Sequence, residues 1–370
     1  MLSFSIKRPL RVFLAIAEFS SILPHKDYGE KNKMAFIMLI KSIVFSLMIV
    51  ILTIHILQYR MVNVHPHLNS IYVIVDILRT INNLVSILSY FVNCILKNKL
   101  WIKLYKITNQ LKTSTQNKKA TFLLISLIYT GLCDIALVGM SLVELVWNLY
   151  EPICASDIIS RITHIICFYY ENSSAVTISI FTYAIEQKLE QMHQIFRNLH
   201  KNQLYSITQI KMAKRLYLSA TDINCLINNF FGFKILICFI NAATRLLWLL
   251  ITVVQMWNPD KFKKNLKLDM LQFIVTAVFG LLGMIPPYLI TMSYAKIATE
   301  LDYLLMNCYK LEDKFLHESY EHKEIESLWR FISENRLRFT ALDFFRIEPW
   351  ALLGIIASST TYFIALIQFN

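Results

Sequence analysis

The sequence predicts an all-α membrane protein with seven transmembrane helices, and three observations predict it. Of its 370 residues 56% are apolar and the mean hydropathy is +0.48, more hydrophobic surface than a soluble core of that length needs. Only 7 Gly and 8 Pro are present, which favours long helices. Seven apolar stretches of membrane-crossing length alternate with polar segments, and Lys and Arg concentrate in every second one.

Residues 1–34 are a basic, amphipathic segment around the apolar run 12–23. Glu18 interrupts that run and no small-residue cleavage site follows, so the first span is expected to act as the signal anchor. That span is 35–58, with Lys41 near its inner end. Span two is 71–96, carrying Asp76 and Arg79 three residues apart on one face, and 97–120 is a loop with seven Lys and no acid.

Span three is 121–149 and contains Glu144 and Trp147. Span four, 158–185, holds Arg161, His164 and Glu171. Over 186–230 the pattern turns amphipathic at helical spacing, so helices four and five are expected to project beyond the membrane. Span five is 231–256, with Arg245 deep in it, and a four-Lys loop follows.

Span six, 270–292, is interrupted by Gly280, Gly283 and Pro286-Pro287, which predict a kink or unwound turn. Residues 293–348 are polar but periodic, and two helices joined near 317–323 are expected there. Pro349 opens span seven, 349–369, as a proline in the first helical turn.

Charge counting orients the chain. The N-terminal segment and the loops after spans two, four and six carry 27 of the 37 Lys and Arg, against 5 in the other three loops. By the positive-inside rule the N-terminus is cytoplasmic and the C-terminus extracellular. The net charge of +12 thus follows topology, and nucleic acid is not an expected partner. A G-protein-coupled receptor has the reverse orientation, and neither a DRY-like triplet after span three nor an NPxxY in span seven is present.

The seven Cys, at 94, 133, 154, 167, 225, 238 and 308, form no CxxC and no Cys/His cluster, so they read as buried small residues. Cys154 alone falls in an outer loop, with Cys167 its nearest prospective partner. Asn172-Ser173-Ser174 is a sequon inside span four, where glycosylation is not expected. No motif for a cofactor, a metal or catalysis appears.

Three constellations are candidate sites. On span seven Ala351, Gly354, Ser358, Thr361, Ala365 and Gln368 form one stripe of small and polar residues, which serves either close helix packing or a pore lining. In the outer halves of spans two to six lie Asp76, Arg79, Asn82, Glu144, Trp147, Arg161, His164, Trp248, Gln255 and Gln272. Such residues suit a small organic ligand, or else satisfied pairs such as Asp76 with Arg79, and Glu144 with Arg161 or Arg245. The third is the apolar stripe Ile297, Leu301, Leu304, Leu305, Cys308, Leu311 and Phe315.

The pattern Thr361-Tyr362, five apolar residues, Gln368-Phe369 resembles the C-terminal signature of the insect gustatory receptors, in the insect chemoreceptor superfamily. The inverted topology agrees with that resemblance over the whole chain. It implies a tetrameric, ligand-gated cation channel subunit in the plasma membrane of sensory dendrites, alone or with related subunits. Its implied parts are a six-helix sensing bundle, 35–292, a cytoplasmic anchor, 293–348, and a pore-lining helix, 349–370. The resemblance places the gate at Gln368 and Phe369, Thr361 in the conduit, and the Ile297 to Phe315 stripe in contacts between subunits. Sugar receptors of that family commonly carry Glu after the Thr-Tyr pair. Phe363 stands there, so a bitter plant compound is expected over a common sugar, with the fructose-type group open. A receptor signalling through a cytosolic partner without conducting is the alternative.

Overall fold

A computed structural model describes residues 70–96, 155–201, 206–256, 266–315 and 319–368, with single positions within 44–58 and 100–104. The segment 1–34 and the expected third span, 121–149, lie outside the described residues. Seven described helices follow in order: α1 Ser70–Leu96, α2 Ala155–Lys201, α3 Ser206–Met256, α4 Leu266–Gly283, α5 Ile285–Glu312, α6 Tyr320–Glu334 and α7 Pro349–Gln368. Between α6 and α7 sits a two-stranded antiparallel ribbon, β1 Thr340–Ala341 with β2 Phe345–Arg346, in the register Thr340 to Arg346.

The two longest helices run 47 and 51 residues without a break. At 1.5 Å per residue they span about 70 and about 77 Å, more than twice a bilayer's hydrocarbon thickness. Of the described helices, the stretches Ile207–Val254 and Thr276–Glu312 are long and apolar enough to cross a membrane, and Pro349–Ala365 is a shorter apolar one.

Sequence accounts for several of these boundaries. Gly283 ends α4 and Pro286 and Pro287 stand in the first turn of α5, because neither proline can donate to the preceding carbonyls. Ser319 caps α6 by accepting from the His322 N–H at 3.1 Å. Pro349 opens α7 with its φ preset for helix. The ribbon is a feature that the helix-only expectation for 293–348 missed. Its turn puts Leu342 (φ 55°) and Asp343 (φ 57°) in the left-handed region, where Asn or Gly is the usual signal.

The core lies where α2, α3 and α5 meet, and α6, the ribbon and the start of α7 close it. Phe181, Leu189, Tyr217, Ile227, Tyr294 and Leu304 are all at most 2% exposed. Serines permit close approach, with Ser179 and Ser293 hydroxyls 3.1 Å apart across α2 and α5. The Glu186–Lys296 ion pair at 2.6 Å and two histidine–carboxylate contacts, His193–Glu300 at 3.2 Å and His322–Glu312 at 3.8 Å, brace these helices.

The expectation for the third stripe changes here. Ile297, Leu301, Leu304, Cys308 and Leu311 are buried inside the chain, and Leu305 and Phe315 pack against the same core. Their apolar surface is used by α2 and α6 of their own protomer. The face that α5 leaves outward is Asp302, Tyr303, Met306 and Tyr309.

Cys167, Cys238 and Cys308 are buried free thiols as expected of small core residues, whereas Cys225 is exposed. Asn172, Ser173 and Ser174 are buried, so the sequon is closed to modification.

Candidate functional site

Three polar rungs join α1 to α3. Highest is Arg79, whose guanidinium lies 4.7 Å from the centre of the Trp248 ring. One turn on, the Asn82 amide donates to the Thr244 hydroxyl at 2.9 Å. One turn further, the Asn241 amide donates to the Ser86 hydroxyl at 2.8 Å. Positions 79, 82 and 86 thus meet 248, 244 and 241, the run expected where antiparallel helices present their i, i+3 and i+7 faces to each other.

The lowest rung opens into a buried ion pair. Glu171 on α2 accepts from Arg245 Nη1 at 2.6 Å, and its other oxygen accepts from Asn241. Both charged side chains are almost fully buried, 2% and 6% exposed. A pair this deep is sustained by its extra hydrogen bonds, since desolvation of either ion alone is prohibitive. The Phe168 ring lies 5.0 Å from the guanidinium, and Phe279 of α4 meets that ring edge-on at 6.1 Å.

Among the expected ligand contacts, Arg79, Asn82 and Trp248 are therefore brought together. Asp76 lies on α1, Arg161 and His164 on α2, Gln255 on α3 and Gln272 on α4. Glu144 and Trp147 fall outside the described residues. Arg245, one of the two arginines expected as partners of Glu144, has Glu171 as its ion-pair partner, because the two residues meet on adjacent helices. Glu171, Asn241 and Ser86 were not among the sequence candidates. Opposite charges near the middle of spans four and five were the signal that could have found them.

The second assembly is α7 on α3. Phe363 packs in the apolar cluster of Val75, Leu247, Ile251 and Trp248, directly beside the top rung. The Ser359 hydroxyl donates to the Ala243 carbonyl at 3.1 Å. Ile355 and Ser359 are buried, and Ala351 and Leu352 pack on the core. The small-residue stripe lies elsewhere on the helix. Gly354, Thr361 and Gln368 are exposed, and Ser358 and Ala365 are half-buried. A Cβ at Gly354 would touch nothing within 4 Å. The chain's own packing thus centres on another face, sharing Ala351 with the stripe and leaving Gly354, Thr361 and Gln368 outward. Tyr362 is 65% exposed, and Phe369 lies outside the described residues.

At its N-terminal end α7 is held by the ribbon. Asn224 and Asn228 of α3 both donate to the Arg338 carbonyl, at 3.0 and 2.8 Å. Gly232 admits the ribbon's backbone, since a Cβ there would stand 3.0 Å from the Leu342 nitrogen. Phe345 meets Phe239 at 5.3 Å, and Phe339 stacks on Tyr294 at 3.8 Å. Helix α3 therefore carries the polar rungs, the seat of α7 and the clasp at its base. Among the described residues no cluster could hold a metal ion.

Comparison with known proteins gives a consistent placement. The family model described as 7tm Chemosensory receptor matches residues 10–370. Among solved structures the chain is similar to the insect olfactory receptor OR5 from Machilis hrabei, at 13% identity over 99% of each chain with a TM-score of 0.63. It is similar to the same receptor in complex with eugenol at 12% identity over 98% of each chain, TM-score 0.62. At such identities the likeness is one of fold. No curated protein matches significantly.

Proposed function

The chain belongs to the 7tm chemosensory receptor family, within the insect chemoreceptor superfamily, and on that premise we propose that it is a gustatory receptor acting as a ligand-gated, non-selective cation channel. The observation that carries this reading is the divided surface of α7. One face is occupied by α3, while Gly354, Thr361 and Gln368 remain exposed on an otherwise apolar helix. Small and polar groups left outward on such a helix suit a water-lined axis between several copies better than lipid. In this reading four subunits, identical or related, place their α7 helices around the axis, with Gln368 and Phe369 as the outer gate.

The ligand site lies among Arg79, Asn82 and Trp248. Trp248 and Phe363 of α7 both pack against the buried cluster of Val75, Leu247 and Ile251, so a ligand that moves Trp248 disturbs the seat of the pore helix. A tastant that binds better to the open arrangement shifts the population toward it. The eugenol complex of the similar olfactory receptor supports a small organic ligand. Phe363 in place of an acid after Thr361-Tyr362 favours a bitter plant compound over a common sugar, with a fructose-type ligand the alternative. The receptor would sit in the plasma membrane of sensory dendrites and pass cations directly.

The test is recording from cell-free membrane patches of cells expressing this chain, in nucleotide-free solution, against alkaloids, glycosides and sugars. Ligand-evoked current supports the reading. Silent patches despite surface expression, with calcium responses in intact cells, would transfer it to a receptor that signals through a cytosolic partner.

A further inference from the structure

The junction of α4 and α5 holds an arrangement that ligand recognition does not use. Helix α4 ends at Gly283 and α5 starts at Ile285 with Pro286 and Pro287 in its first turn. In an unbroken helix the carbonyls of Leu282 and Gly283 would accept from residues 286 and 287, but prolines have no N–H to give. The Met284 N–H turns back to the Leu281 carbonyl at 3.1 Å instead. Such a junction can be set at more than one angle, and a neighbour has to choose it.

Arg245 is that neighbour. A Cβ built on Gly283 would stand 2.6 Å from Arg245 Cδ and 3.2 Å from its Nη1, so the arginine lies directly across the backbone at the break. Only glycine leaves room for it. The guanidinium cannot step aside, because Glu171 holds Nη1 at 2.6 Å from α2 and Phe168 lies beneath it. Its Nη2 is buried with no hydrogen-bond partner, leaving one charged donor unused beside the C-terminal end of α4.

We propose that Arg245 is a positioning residue for gating: anchored by Glu171 and lying across Gly283, it sets the angle between α4 and α5 and thereby the balance of closed and open receptor. The proposal rests on the ligand-gated reading above for its last step only. Gly283→Ala pushes on the arginine stem at Cδ while leaving both partners of the ion pair in the sequence, and Arg245→Lys keeps the charge but replaces the planar fork that Glu171 pins with a flexible stem that gives way to the new methyl.

The experiment uses full-length receptor carrying unnatural-residue fluorophores at the exposed positions Ile274 on α4 and Met306 on α5, in wild type, Gly283→Ala, Arg245→Lys and the double variant. Energy transfer between the labels reads the angle whether or not the protein conducts. The expected result is a distance change in Gly283→Ala that the double variant largely reverses. In patches the basal open fraction should change at least tenfold in Gly283→Ala and return toward wild type in the double variant. An unchanged distance in Gly283→Ala, or changes that simply add in the double variant, would overturn the proposal. Absence of current from every form, with the distance changes present, would remove the channel reading and leave the positioning role standing.

Discussion

Ser359 of α7 donates its hydroxyl to the main-chain carbonyl of Ala243 on α3 at 3.1 Å, one turn below Phe363 in its apolar seat. The bond ties the pore-helix candidate to the helix that carries Trp248 and Arg245. Hydrogen bonds between membrane helices contribute about 0.6 kcal/mol on average. Ser359→Ala is therefore expected to raise basal current about threefold, with unchanged surface level by biotinylation. Equal basal currents would mean that this contact does not hold α7 closed.

Gly354 separates the two roles open to the small-residue stripe. Because Gly354 is exposed and a Cβ there has no neighbour within 4 Å, Gly354→Leu should reach the cell surface at wild-type level. If the stripe lines a pore, unitary conductance falls by half or more. Full conductance from Gly354→Leu would place the stripe against lipid or a neighbouring subunit.

Removing one member of the Glu171–Arg245 pair strands a charge inside the bundle, at a cost of about 3–5 kcal/mol. Glu171→Ala should therefore abolish surface expression. Replacing both residues with Met removes the stranded charge and should recover much of the folded protein, measured as monodisperse receptor in detergent. Equal loss in single and double variants would count against an electrostatic cause.

Beyond the span expected at 231–256, Tyr217 donates to the Asn335 carbonyl at 2.7 Å, and burial pushes its hydroxyl up to about 12 from an ordinary 10. A group whose folded value is raised stabilises fully below its unfolded value and loses that contribution as pH climbs through the folded one. The docking of α6 should thus be steady up to about pH 10 and weaken between pH 10 and about 12. Melting of purified receptor across that range checks this, and Tyr217→Phe should flatten the decline.

The ribbon turn carries Leu342 and Asp343 at positive φ, each at a cost of about 1 kcal/mol or more. Leu342→Gly removes that cost, and the exposed leucine side chain is not needed by the core. A melting temperature raised by a degree or more is expected, and a lower one would mean that the Leu342 side chain has a partner.

How much was legible follows from what kind of interaction each feature depends on. The break between α4 and α5 and the start of α7 were readable, because Gly283, Pro286, Pro287 and Pro349 act through their own backbones, whereas α5 runs as one helix across the boundary expected at 292. Membership of the chemoreceptor superfamily was readable from Thr361, Tyr362, Gln368 and Phe369 together with the charge bias. The ribbon at 340–346 was not, since Leu342 and Asp343 adopt the turn only because Gly232 and Asn228 of a distant helix receive it.

Sequence by itself thus determined the chain's class and the helices named above, both set by composition, period and local stereochemistry. Tertiary structure alone decided partners and faces. It turned the Ile297 to Phe315 stripe inward, matched Arg245 with Glu171, and left Gly354 open while Ser359 and Phe363 took the contact with α3. Periodicity says that a helix has two sides, and only the arrival of neighbouring helices says which side is covered and by what.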